Sequence, residues 1–234
     1  MPLPTIVTPT FEIELISNGK KLELRPFLVK EEKLLLMALE SAQKKNIIEA
    51  IKTIIKSCIK TPNINIEELA SFDIEYIFLK IRENSLGESI SVSLTCPETK
   101  KKFEADLNLS DIKIDKPVQN NIIKISDNVG LTMKYPTFQS MQLLYDQKLT
   151  IDNVFNLIIL CIENIYDTEN VYNCKDYTTK ELSDFLDSLP QACFNEINEY
   201  FTSLPKIYFD VLIESPYTHK MVKVRLDNFL DFFV

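Results

Sequence analysis

A chain of 234 residues with 45% hydrophobic and 26% charged positions can bury one good core or two small ones, which argues against disorder. Only three glycines stand in it, too few for Gly-rich phosphate loops, and a formal net charge of -8 disfavours a general nucleic-acid binder. The five cysteines are odd in number and nowhere at metal-ligand spacing, so they read as reduced thiols of a cytosolic protein, and no cofactor or metal is expected.

Met1 to Thr10, with three prolines, reads as an extended arm that frays or lies on a neighbouring subunit. No charged and apolar leader opens the chain, and the longest apolar run, Leu157 to Ile162, is far below a membrane span. Phe11 to Leu15 and Leu22 to Leu24 alternate apolar and polar around Asn18-Gly19, which predicts a hairpin that Pro26 ends. Lys30-Glu31-Glu32-Lys33 opens a helix whose apolar stripe is Leu34, Leu35, Ala38, Leu39 and Ala42. Its carboxylates are expected on the outer first turn, where they complement the dipole. Asn46 to Lys60 is a second amphipathic helix, closed by Thr61-Pro62-Asn63. Asn65 with Glu68 has the form of an N-cap pair before a short helix, and Asp73 to Asn84 is a longer helix stopped near Gly87. A hairpin follows, Ile90 to Leu94 and Phe103 to Leu109, turning at Cys96-Pro97-Glu98-Thr99. Its turn resembles a zinc knuckle short of a thiol, and one cysteine cannot hold zinc. Asp111 to Asn121 reads as a linker.

The second half echoes the first. Ile122 to Ser126 and Leu131 to Tyr135 form a strand pair ending at Pro136, and a helix-like segment, Gln139 to Gln147, comes next. Val154 to Ile165 repeats the Ile47 to Ile59 helix, with Cys161 where Cys58 falls. Thr178 with Glu181 makes a capping box, and Phe194 to Leu204 is the last helix. The residues from Cys96 to Leu107 align without gaps on Ser215 to Leu226 at a constant offset of 119 (215 minus 96), with proline, threonine, lysine and leucine coinciding. The fold class is therefore α+β, a diverged tandem repeat in which each half carries a strand pair, several helices and a hairpin. The arm covers 1-10, the first repeat 11-115, and the second repeat 116-234 with an aromatic tail. The halves are separate or share a seam as one body, and two unrelated hairpins with like turn chemistry are the alternative.

Catalytic signals are weak. His219, the only histidine, sits at a hairpin tip with no nucleophile beside it, and the acidic pairs Glu31/Glu32, Glu67/Glu68 and Asp184/Asp187 suit helix ends and solubility.

The wording of Arg25 to Ser41, RPFLVKEEKLLLMALES, resembles the opening signature of the baseplate hub and hub assembly proteins of T-even-type contractile-tail phages. The likeness continues in Phe72 to Arg82, in Met133 to Thr137 and in the closing Asp231-Phe232-Phe233. It implies a non-enzymatic protein of baseplate hub assembly, present in the host cytoplasm during assembly and in the virion baseplate if structural. Its partners would be other hub proteins or the tape measure protein, with no nucleic acid or membrane, and self-association is left open. A transient chaperone absent from the virion is the alternative, and a hub-associated lytic enzyme a remote one. The candidate partner-binding residues are Arg25, Pro26 and Phe27 in the signature and Phe229, Phe232 and Phe233 in the tail, where the aromatics are otherwise an anchor in the protein's own core.

Overall fold

The computed structural model of the chain describes residues 7–41, 43–116, 120–141 and 150–227. The fold is mixed α+β, with helices and small antiparallel sheets. The chain divides into two compact units: Met1–Ile66, Phe72–Asp115 and Lys206–Val234 form one, and Glu67–Ser71 with Lys116–Pro205 the other.

The first unit begins with the expected hairpin, β1 (Phe11–Glu14) against β2 (Lys21–Leu24), with Ile13 opposite Leu22. Period-two alternation buries Ile13, Leu15, Leu22 and Leu24 and leaves Glu12, Glu14, Lys21 and Glu23 in solvent. The turn is four residues long, closed by the Leu15 and Gly19 amides, and Gly19 takes the left-handed conformation at φ 69°. Helix α1 (Val29–Glu40) packs on α2 (Lys44–Cys58). Ile47, Ile51, Ile54, Ile55 and Cys58 of α2 recur at helical spacing and are all buried, each large side chain contributing about 1.5–3 kcal/mol. Helix α3 (Ser71–Leu86) buries Ile74, Ile77, Phe78 and Ile81 as its periodicity predicts, and Gly87 at φ 94° stops it. In place of the short helix expected after Asn65 there is one 3-10 turn, Ile66–Glu68.

Strands β3 (Ser89–Thr95) and β4 (Lys102–Asn108) form the next hairpin, burying Ile90, Val92, Leu94, Phe103, Ala105 and Leu107 on one face. The segment read as a linker contains a strand, β5 (Lys113–Asp115). Three residues with one apolar side chain leave no alternation to read, and the partner that orders them lies about ninety positions on. That partner is β10 (Lys206–Glu214), which pairs with β5 on one edge and β11 (Met221–Leu226) on the other. The division into units therefore does not follow the repeat halves: it shares their boundary after Asp115, but the last hairpin belongs to the unit that holds the first.

The second unit is a four-stranded sheet, β6 (Ile122–Lys124), β7 (Gly130–Met133), β8 (Ile162–Tyr166) and β9 (Val171–Asn173), paired in that order. Its helices are α4 (Ile151–Cys161), α5 (Thr179–Asp187) and α6 (Gln191–Thr202). One core joins Ile123, Leu131 and Met133 of the sheet to Leu157, Ile158 and Cys161 of α4, Leu182 and Leu186 of α5, and Cys193, Ile197 and Tyr200 of α6. The helix expected to run on to Ile165 ends at Cys161, and its remainder is β8. Glu163 is the extra residue where the pairing with β7 shifts between Thr132 and Met133, so Ile162 and Ile165 both pack on the core. That three-residue spacing imitates a helix. The capping box forms as predicted: Glu181 N–H donates to Thr178 Oγ1 at 3.3 Å and Thr178 N–H to Glu181 Oε2 at 2.8 Å. Residues 138–141 begin the helical segment expected from Gln139, and 142–149 lie outside the described residues.

One local arrangement occurs twice. Arg25 N–H donates to Cys58 O at 2.9 Å where α2 ends beside β2, and Lys134 N–H donates to Cys161 O at 2.8 Å where α4 ends beyond β7. In each case the carbonyl of a helix-terminal cysteine accepts from the residue after the neighbouring strand.

Candidate functional site

The signature segment forms a buried corner between β2 and α1. Arg25 leaves the strand pointing inward and is 6% exposed, and Glu31, in the first turn of α1, is 4% exposed. Arg25 Nη2 donates to Glu31 Oε1 at 2.9 Å, while Arg25 Nη1 donates to Pro26 O at 2.8 Å. Glu31 also accepts from Ser57 Oγ at 3.0 Å and, through Oε2, from Leu28 N–H at 2.8 Å. Burial pushes the Glu31 carboxyl up, but the hydrogen bonds from Arg25, Leu28 and Ser57, with the Arg25 charge, outweigh it and bring the group down to about 2. The carboxylate expected on an outer helix turn is thus the inner half of an ion pair. The available signal was its place three residues after the helix cap, where a Glu reaches back to a free amide. Two neighbours complete the corner. Phe27 N–H donates to Ser85 Oγ at 2.9 Å, and buried Asp73 accepts from the amides of Ile16 and Ser17 at 2.7 and 3.1 Å, fixing the first hairpin turn against α3.

Of the signature residues singled out for partners, Arg25 and Phe27 are therefore inside the unit and Pro26 is half-buried. Phe229, Phe232 and Phe233 lie outside the described residues. Beside exposed Lys30, Lys33 and Glu40, the segment shows apolar side chains to solvent. Leu28 is 41% exposed and Val29 80%, and one helical repeat on, Leu36 and Met37 are 54% and 59% exposed. Val29, Lys33, Leu36, Met37 and Glu40 share the outer face of α1 by helical spacing. An apolar stripe flanked by charges, on a helix held by a buried ion pair, has the composition of a protein contact and no chemistry of its own.

In the second unit, Val129, Ile165, Tyr172, Tyr177, Leu182 and Phe185 line an open cleft of about 430 Å³. Tyr172 stands edge-on to Tyr177 with ring centres 6.4 Å apart, and its hydroxyl donates to Asp167 Oδ2 at 2.7 Å. That hydrogen bond, with those from the Glu169 and Asn170 amides, lowers the Asp167 carboxyl below its usual range. Asp167 is thereby committed to positioning a tyrosine. His219 lies at the last hairpin turn, exposed, with Nδ1 3.4 Å from Glu214. Among the described residues, no three His, Cys, Asp or Glu side chains gather where they could hold a metal ion, and no helix is long and apolar enough to cross a membrane.

Neither a curated protein nor a solved structure matches the chain. A family model does match, over residues 8–234, from the first hairpin to the last residue. It is that of the T4 bacteriophage base plate protein, and the chain belongs to this family.

Proposed function

We propose that this baseplate protein acts in the hub of a contractile tail's baseplate, as a structural component that docks on other hub proteins and catalyses nothing. Membership of the T4 base plate family over residues 8–234 is the observation that carries the reading. The corner at Arg25 and Glu31 supports it. Arg25 and Glu31 of the signature are spent on holding β2 and α1 together, and Val29, Leu36 and Met37, beside the exposed charges of Lys33 and Glu40, are the material for contact. Docking of this kind takes place in the host cytoplasm as the hub is built, and the protein stays in the virion.

Quantitative mass spectrometry of intact virions, with cross-linking of the baseplate, tests this. A stoichiometric signal with cross-links to hub subunits is the expected result. A protein cross-linked only to peripheral baseplate parts would overturn the hub assignment. Absence from virions, with capture on hub proteins from infected-cell lysate, would replace a structural subunit with a transient chaperone.

A further inference from the structure

The two hairpins that share an alignment at offset 119 also meet in space. Ser215 Oγ donates to Cys96 Sγ at 3.4 Å, both residues fully buried. Their turns are closed by the same pair of backbone bonds. Cys96 N–H donates to Lys101 O and Lys100 N–H to Cys96 O, while Ser215 N–H donates to Lys220 O and His219 N–H to Ser215 O, each at 2.9 Å. Both turns put a non-glycine residue into the left-handed region at the same place, Lys100 at φ 58° and His219 at φ 53°. Tyr217 N–H donates to Ser215 Oγ at 3.3 Å, and at the matching place in the first turn the backbone of Thr99 and Glu98 acts on Cys96 in the direction that lowers the pKa of its thiol. Tyr217 ties the turns together, its hydroxyl donating to Lys102 O at 2.7 Å and its ring edge-on to Phe103.

A side chain at the first and fourth position of each of two facing turns, with backbone amides aimed at the first, is the frame in which paired C-x-x-C turns hold a tetrahedral zinc. Here those positions are Cys96 and Thr99, and Ser215 and Thr218. A tetrahedron of zinc–sulfur bonds of about 2.3 Å has edges of about 3.8 Å. The Cys96–Ser215 separation of 3.4 Å approaches that edge, since a hydroxyl sits closer to its carbon than a thiol does. The Thr218 hydroxyl oxygen is buried and makes no hydrogen bond among the described residues, as a ligand position without its ligand chemistry would be.

We propose that this hairpin junction has the frame of a four-ligand metal site but is held by hydrogen bonds centred on Cys96 instead of a metal, and that thiols at positions 99, 215 and 218 would make it a zinc site. One thiol and three hydroxyls are too hard and too weakly acidic a donor set for zinc, so the present junction holds without metal. The donors around Cys96 are those that stabilise a metal-bound thiolate. The Ser215 hydroxyl, then the Thr99 hydroxyl and amide, bring its thiol down to about 7 against the opposing effect of burial.

The test is cobalt titration of the full-length triple variant Thr99→Cys/Ser215→Cys/Thr218→Cys beside the unaltered protein. The variant should take one Co²⁺ with the intense visible bands of a tetrahedral thiolate, release it to Zn²⁺ and melt at higher temperature with metal, while the unaltered protein takes none and melts alike with or without chelator. A folded variant with weak octahedral bands, or stoichiometric zinc in the unaltered protein, would overturn the proposal. Should the triple variant not fold, Ser215→Cys alone decides the geometry: a disulfide to Cys96 under mild oxidant supports the facing turns, and its failure to form rejects them.

Discussion

The guanidinium of Arg25 and the carboxylate of Glu31 meet at 2.9 Å with side chains 8% and 5% exposed, one at the end of a strand and the other in the first turn of a helix. An ion pair so shut off from water cannot lose one member cheaply, because the other remains buried with its charge. Glu31→Gln should cost roughly 3–5 kcal/mol of stability in urea, and Arg25→Met a similar amount. The double variant Arg25→Met/Glu31→Leu should cost clearly less than the sum of the two single changes. Additive losses would mean that the pair is not coupled.

The same pair sets a pH dependence. The Glu31 carboxyl titrates near 2 in the folded protein against a usual 4.5, so its contribution is complete above 4.5 and is lost as the pH falls from there toward 2. The stability difference between the unaltered protein and Glu31→Gln should therefore be flat near neutrality and shrink across that acid window. Urea unfolding at a series of pH values reads it directly, and a difference that grows on acidification would contradict the assignment.

Gly130 has a different constraint. A Cβ there would overlap the Tyr166 hydroxyl and ring and stand 2.8 Å from the Ile123 carbonyl oxygen. The tyrosine can swing away but the carbonyl belongs to β6, whose pairing with β7 includes Lys124 opposite Gly130. Gly130→Ala should thus destabilise the sheet by about 1–3 kcal/mol, and Tyr166→Ala should restore only part of the loss. Thermal melts of the single and double variants check this, and full rescue would show that the backbone contact does not matter.

Sequence patterning reached the elements whose partners are local. The β1–β2 hairpin, α2, α3 and the Thr178–Glu181 capping box all rest on alternation, helical spacing or a side chain three residues away. It failed where a distant strand decides. Ile162 and Ile165 keep helical spacing because a bulge at Glu163 imitates it, and Lys113–Asp115 is a strand only because Lys206 to Tyr208 lies beside it. The site was half legible. The signature drew attention to the corner between β2 and α1, but periodicity places Glu31 near a helix start without saying that Arg25 is turned inward to meet it. The Cys96 and Ser215 alignment showed that the turns are alike, and only the fold shows that they touch.

The left-handed residues of the three hairpin turns offer a stability test with opposite signs. Gly19, Lys100 and His219 occupy the same place in their turns, at φ 69°, 58° and 53°. Glycine adopts that region freely, whereas a side chain there costs on the order of 1 kcal/mol. Lys100→Gly and His219→Gly should each stabilise the protein by about 0.5–1 kcal/mol, net of glycine's greater freedom when unfolded. Gly19→Ala should destabilise it by about 1 kcal/mol, and since a Cβ at that position meets nothing within 4 Å the loss is conformational alone. Chemical denaturation of the three variants measures all of these, and a destabilised Lys100→Gly would mean that the relief of backbone strain is smaller than the freedom glycine adds to the unfolded chain.

The outer face of α1 decides whether the exposed apolar side chains are there for docking. Val29, Leu36 and Met37 are more than half exposed, so replacing them leaves the buried face of the helix, Leu35 and Ala38, untouched. Surface changes of this kind usually alter stability by no more than about 0.5 kcal/mol. Leu36→Glu combined with Met37→Lys should therefore keep the circular dichroism and urea midpoint of the parent. If the stripe is the contact, the same variant should fail to enter baseplates when it replaces the native chain during infection, because burying two unpaired charges in an interface core costs several kcal/mol. Normal incorporation and a normal yield of infectious particles would move the contact elsewhere, to the Tyr172 cleft of the second unit or to the aromatic tail, and Tyr177→Glu and a chain ending at Asp227 are then the variants that separate those two surfaces.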